Sequence, residues 1–131
     1  MTFSSDADAA AVSGLLGTVT AVQANFYSVK LAPPKKGQAW PSATLLCTRR
    51  ARLKKVGQRV MVGDRVFVEE PDWEGQRGAI AAVAPRQTQL DRPPGANADQ
   101  ILLVFALAEP DLDIHQLTRF LVKAELTGLD I

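Results

Sequence analysis

Five short β-type runs, separated by turn residues, are the feature that most limits how this chain can fold. Turn signals lie at Gly57, at Gly63-Asp64 and over residues 71–75, and no helical period connects the runs. Short strands without intervening helices are typical of a small closed or nearly closed barrel. We predict an OB-fold for residues 15–84, although an SH3-like barrel has a similar strand count. The predicted strands are Leu15–Gln23, Tyr27–Leu31, Ala43–Arg49, Asp64–Glu70 and Gly78–Val83.

The flanking segments lack this pattern. Residues 1–14 show little hydrophobic periodicity and are predicted to be a mobile leader. Residues 85–100 are rich in Pro, Gly, Asn, Asp and Arg, a composition that suits a connector lying over the surface.

Residues 101–131 have the pattern of a strand followed by a helix. Ile101–Phe105 is a continuous apolar run of strand length. Asp113 and Gln116 form a capping-box pattern, and the helix that follows is predicted to end at Gly128. One strand and one helix cannot cover both faces of a sheet, so we predict the first unit of a truncated α/β domain.

Composition narrows the class of protein. The 131 residues are 47% hydrophobic and carry a net charge of +1, so any affinity for nucleic acid must rest on local charge clusters. Cys47 is the only cysteine, which excludes a disulfide framework and indicates a reducing compartment. The longest apolar run is Ile101–Ala108, much shorter than the roughly 20 residues that span a bilayer. We therefore expect a cytoplasmic protein.

The densest chemical signal is a basic run between the third and fourth predicted strands. Repulsion within such a cluster is relieved when a polyanion supplies the counter-charge, so runs of this kind often mark nucleic-acid surfaces. A solvated loop balanced by the acidic residues further along is the alternative. The predicted RNA contacts are Arg49, Arg50, Arg52, Lys54, Lys55 and Arg59, with Lys35 and Lys36 as a secondary patch.

Aromatic partners for stacked bases are scarcer than cations. Phe26, Tyr27, Phe67 and Trp73 are candidates, but each is better explained by core or turn packing. This pattern favours recognition of a structured RNA backbone over reading of a single strand.

Catalytic patterns are missing from the sequence. His115 is the only histidine and cannot by itself anchor a zinc site. Glu69 and Glu70 are adjacent on a predicted strand and are expected on opposite faces, which excludes a cooperating carboxylate pair. No G-x-x-x-x-G-K-[ST] loop occurs, so no catalytic, cofactor or metal residue is predicted.

Several moderately rare segments follow Cys47 and the basic run, and their order along the chain is informative. They are Val62–Val66, Pro85-Arg86 with Leu90–Pro93, Ala96–Gln100 and Arg119–Glu125. With this order and spacing, residues 15–131 resemble the N-terminal part of the circularly permuted GTPases that mature the small ribosomal subunit.

The resemblance implies that this chain carries only part of the function of a longer protein. In that family an N-terminal OB-fold binds ribosomal RNA, and a permuted GTPase domain and a zinc-binding region follow. The full-length family implies GTP, magnesium and zinc, none of them held by this chain, which should be inactive alone. By resemblance the chain supplies docking on the small subunit. The alternatives are a stand-alone RNA-binding or translation-factor-like barrel and a protein-interaction barrel.

Overall fold

The computed structural model describes residues 15–35 and 37–131, so the predicted leader and Lys36 lie outside the described residues. The chain divides into two compact units, with the boundary between Asn97 and Ala98. The domain boundaries inferred from the sequence stay a prediction.

The first unit is a closed barrel of five strands, in the order β1-β2-β3-β5-β4. Neighbouring strands are antiparallel except for β3 and β5, which pair in parallel. This OB-like barrel confirms the predicted fold class. Its strands are β1 Leu15–Gln23, β2 Phe26–Leu31, β3 Thr44–Arg49, β4 Arg65–Asp72 and β5 Arg77–Val83.

Strand β1 closes the barrel because it pairs on both of its edges. Residues 15–18 pair with β4, and residues 17–23 pair with β2. The register shifts between Val19 and Ala21, and such irregularities bend a strand. A Cβ on Gly17 would lie only 2.5 Å from Val29 Cγ1, so the close approach of β1 and β2 requires glycine there.

Alternating apolar residues fill the barrel. On β2 the side chains of Tyr27, Val29 and Leu31 are buried, while those of Phe26 and Lys30 are exposed. The same alternation supplies the core from the other strands, as the period of two in a strand requires. The most deeply buried core residues include Val19, Leu45, Cys47, Val66, Val68, Ile80 and Val83.

A single-turn helix, α1 (Ala51–Lys55), joins β3 to β4. Its one large apolar side chain, Leu53, is fully buried in the core cluster. The helix is therefore anchored by Leu53, and its charged residues are left on the outside.

The connector predicted over 85–100 contains structure that the sequence pattern did not indicate. Strands β6 (Gln89–Asp91) and β7 (Pro94–Ala96) form an antiparallel hairpin. Ala96 donates a backbone hydrogen bond to the carbonyl of Val62 at 2.8 Å, which ties the hairpin to the barrel.

In the second unit, the strand predicted over Ile101–Phe105 is not formed. Beside this segment the structure has only an isolated parallel bridge between Gln100 and Asp130, and a strand without a hydrogen-bonded neighbour is not stable in water. The predicted helix is present as α2 (Ile114–Leu126). Asp113 caps it as expected, because its carboxylate accepts from the backbone N–H groups of His115 and Gln116. No helix among the described residues is long and apolar enough to cross a bilayer.

Candidate nucleic-acid interface

The predicted basic run follows the chain from the end of β3 to the loop before β4. Arg49 is the last residue of β3, and Arg50 is the N-cap of α1. Arg52, Lys54 and Lys55 occupy α1, where the C-terminal end of a helix favours positive charge. Arg59 follows in the loop.

Two of these arginines already have carboxylate partners. Arg50 lies 2.8 Å from Glu70 and 3.4 Å from Glu69, and its pKa is raised chiefly by the hydrogen bond to Glu70. Arg52 lies 3.8 Å from Glu69 and donates to the carbonyl of Ala81. Part of their charge is therefore neutralised within the barrel.

Glu69 and Glu70 do not point to opposite faces, contrary to the sequence prediction. Both carboxylates reach the guanidinium of Arg50. The reason is local: Glu70 has a φ of +50°, and the pairing of β4 with β5 is irregular between Glu69 and Asp72. A strand loses its simple alternation at such a bulge.

Arg49 is held against the barrel. Its Nη1 donates to the carbonyl of Gln58 at 2.7 Å, and its guanidinium lies 6.0 Å from the centroid of the Tyr27 ring. Its Nε is buried without a hydrogen-bond partner among the described residues. Arg49 therefore has a structural role, with one donor left unused.

The remaining cations of the run face solvent. Within residues 15–35 and 37–131, Lys54, Lys55 and Arg59 are exposed and form no ion pair. Lys35 is exposed in the loop between β2 and β3, and Lys36 lies outside the described residues. The charge available to a polyanion is thus concentrated on the end of α1 and the loop that follows.

Three of the four aromatic candidates are occupied by packing. Tyr27 and Phe67 are buried, and Trp73 stacks on Trp40 with ring centroids 5.8 Å apart. Phe26 is the exception, with 40% of its surface exposed. The guanidinium of Arg77 lies 5.7 Å from its ring centroid. No sequence signal connected Phe26 to Arg77, because they lie on different strands.

Three of the segments that carry the family resemblance, Val62–Val66, Pro85-Arg86 and Ala96–Gln100, each contribute to one cluster, which we call the clasp: Gly63, Asp64, Arg86 and Asn97. Asp64 is fully buried and accepts two hydrogen bonds from Arg86. Asn97 donates to the carbonyl of Gly63 and accepts from the backbone of Gln87. The clasp holds the β6–β7 hairpin on the barrel, so this part of the sequence signature is structural.

Arg86 connects the clasp to the basic run. Its Nη2 donates to the carbonyl of Arg59 at 2.7 Å. The hydrogen bond to Asp64 is the main reason that the pKa of Arg86 is raised, so it remains a cation. The backbone of Arg59 is thereby held while its side chain stays exposed.

Metal-ligating side chains do not cluster in residues 15–35 and 37–131, where no group of three or more of them occurs. His115 is exposed in the first turn of α2.

Comparison with known proteins identifies the relatives of this chain. The sequence model of the RsgA GTPase family matches residues 83–131. A small ribosomal subunit biogenesis GTPase RsgA from Trichormus variabilis is 64% identical over 89% of this chain, and one from Microcystis aeruginosa is 62% identical over 93%. This chain matches one part of the small ribosomal subunit biogenesis GTPases. It spans about a third of the length of these curated relatives, 36% and 33% respectively.

Solved structures agree with this assignment to the biogenesis GTPases. The crystal structure of YjeQ from Thermotoga maritima matches 88% of this chain, with a TM-score of 0.66 and 30% sequence identity. YloQ, described as a circularly permuted GTPase, matches 91% with the same TM-score and 25% identity. The chain covers 38% and 39% of these two structures.

Proposed function

We propose that this chain is a docking module that binds RNA of the small ribosomal subunit. The observation that carries the proposal is the group of unpaired cations at Lys54, Lys55 and Arg59 on an OB-like barrel. Phosphates would supply the counter-charge that the barrel does not provide there. The names of the relatives point to the small subunit as the source of that RNA.

The contributions of the cations should differ. Lys54, Lys55 and Arg59 would make the main phosphate contacts, because they have no competing carboxylate among the described residues. Arg50 and Arg52 would contribute less, since binding a phosphate competes with Glu69 and Glu70. Arg49, which is held against the barrel, would contribute little to the phosphate contacts, and Lys35 and Lys36 would form a secondary patch.

In a longer protein of this family, the same module would bring a GTPase to the subunit. GTP and magnesium would bind outside this chain, whose sequence lacks a phosphate-binding loop, and zinc would belong to a further region. We propose that the chain alone does not hydrolyse GTP and that it works in the cytoplasm, where ribosomes mature.

The test is binding of the chain to purified small subunits over a salt series. The variant Lys54→Gln/Lys55→Gln should bind more weakly, and the slope of log affinity against log salt should fall by about 2 units, roughly one per lost phosphate contact. The control is Lys30→Gln/Lys123→Gln, which removes the same charge from exposed positions outside the run. Its salt slope should match that of the unchanged chain.

Two outcomes would contradict the proposal. Equal losses in both double variants would mean that only net charge matters. Binding that does not depend on salt would instead favour a protein-interaction barrel.

A further inference from the structure

A groove on the barrel surface has the features of a binding site. Its volume is about 410 Å³, within the range of ligand sites in proteins. Val22, Tyr27, Arg49, Arg59, Val62 and Pro94 contribute to its walls. They come from β1, β2, the end of β3, the loop before β4 and the β6–β7 hairpin, all within the first unit.

The groove combines apolar walls with two arginines. Val22 and Val62 are each 41% exposed, so the walls of the groove present apolar surface to solvent. Arg49 and Arg59 add positive charge beside them. An inorganic anion would satisfy the charge and leave the apolar walls uncovered, so the lining fits a ligand with both an anionic and a flat apolar part.

Arg49 supplies the more specific signal. Its guanidinium lies against Tyr27, and its Nε is buried without an acceptor. Buried donors are almost always paired in folded proteins, so the packing of the barrel does not fully satisfy the Arg49 guanidinium. The plane of an arginine guanidinium is also a surface on which unpaired bases of RNA stack.

The Arg49 side chain and the backbone of Arg59 are held in place before any ligand arrives. Arg49 is fixed by its hydrogen bond to the carbonyl of Gln58, and the backbone of Arg59 is fixed by Arg86. A pre-organised site loses less entropy on binding than a mobile one.

We propose that this groove binds one unpaired nucleotide of RNA, its base beside Arg49 and its phosphate near Arg59. The proposal rests on the docking function above and adds to it a preference for RNA that carries an unpaired nucleotide. Bases of a continuous duplex are stacked inside the helix and cannot enter, whereas a bulged or loop nucleotide can. The barrel would thus bind duplex phosphates through α1 and select sites that carry an unpaired base.

The test uses two RNA hairpins with the same stem, one of which has a single bulged nucleotide. Fluorescence anisotropy at fixed salt should show that the chain binds the bulged hairpin roughly tenfold more tightly, as expected for one stacked base. Val22→Glu places a carboxylate in the groove and should reduce this preference to about one. Val62→Glu, on another wall, should do the same, so the test does not depend on the folding of one variant.

The matched control is Val56→Glu, which makes the same substitution at a valine that is 74% exposed and does not line the groove. It should weaken binding to both hairpins equally and keep the preference. Circular dichroism melting curves identify any variant that fails to fold.

Three outcomes would overturn the proposal. Equal binding of both hairpins by the chain would leave the docking function intact and remove the nucleotide site. Folded Val22→Glu and Val62→Glu variants that keep the preference would place the selection elsewhere. A Glu-rich peptide that displaces the bulged hairpin from the chain, but not from Val22→Glu, would assign the groove to an acidic protein. Failure to bind either hairpin at low salt would instead contradict the docking function itself.

Discussion

The Asp64 carboxylate and the Arg86 guanidinium form a buried bidentate pair, with each carboxylate oxygen 2.8 Å from a guanidinium nitrogen. Asp64 is 0% exposed, and one of its oxygens also accepts from the backbone N–H of Met61 at 2.7 Å. Arg86 in turn reaches the carbonyl of Arg59. One ion pair therefore joins the turn before β4, the connector and the basic run.

Removing Arg86 should be strongly destabilising, because it leaves a buried carboxylate without its partner. We expect Arg86→Ala to lower the free energy of unfolding by about 3–5 kcal/mol. Urea titration followed by circular dichroism measures the change. Arg65→Ala, at an exposed position on β4, is the control and should cost less than about 1 kcal/mol. Similar losses in the two variants would show that the pair contributes little.

Alanine substitutions at Gly63, which belongs to the clasp, and at Gly57, which does not, test how tightly the β6–β7 hairpin is held against the barrel. Both have positive φ, +93° and +72°, so alanine is strained at either position. At Gly57 a Cβ would meet nothing within 4 Å, whereas at Gly63 it would collide with the carbonyl of Ala96. Gly57→Ala should cost about 1 kcal/mol and Gly63→Ala at least about 3 kcal/mol in the same assay. Equal costs would mean that the hairpin moves away freely.

Burial should make Cys47 unreactive in the folded chain. Burial raises the pKa of its thiol from 9.0 to about 12. The thiolate is the reactive form, so iodoacetamide at pH 8.5 should modify the native chain far more slowly than the chain in concentrated urea. Rapid modification of the native chain, without unfolding, would contradict the burial of β3.

The raised pKa of the Cys47 thiol also makes the free energy of unfolding depend on pH. The folded-state pKa lies above the unfolded value, so the neutral thiol's contribution is fully present below about pH 9 and is lost progressively as the pH rises towards 12. Urea midpoints measured from pH 8 to pH 11 should therefore fall more steeply for the native sequence than for Cys47→Ala. Parallel curves would contradict this assignment.

Releasing Arg50 from its carboxylates should strengthen RNA binding. Glu70→Gln removes the partner that lies 2.8 Å from Arg50, and we expect a several-fold gain in affinity with a steeper salt slope. Glu74→Gln removes the same charge from an exposed residue that forms no ion pair within the described part of the chain. Its gain should be smaller. If both variants gain equally, Arg50 makes no phosphate contact of its own.

The barrel was largely predictable because its strands follow a local rule. Alternation of apolar and polar residues located all five strands to within two residues of their observed ends. Leu53, an apolar residue of α1 within the charged run, is buried in the core. The hairpin Gln89–Ala96 was missed because strands of three residues have no measurable period.

The prediction for Ile101–Phe105 failed in the opposite way, because a strand was predicted there and does not form. Its apolar run satisfies the local rule for a strand, but no ladder forms because a strand also requires a neighbour. Hydrophobic periodicity describes one segment at a time and carries no information about its partner.

For the candidate interface, the sequence alone determined where the cations are, since charge is a property of each residue. Which cations are available was decided only by the tertiary structure. Arg50 and Arg52 form ion pairs with Glu69 of β4, and a backbone irregularity turns Glu70 towards Arg50 as well. The groove beside Arg49 likewise exists only where distant strands meet, because distances across the fold depend on strand pairing and closure rather than on any local pattern.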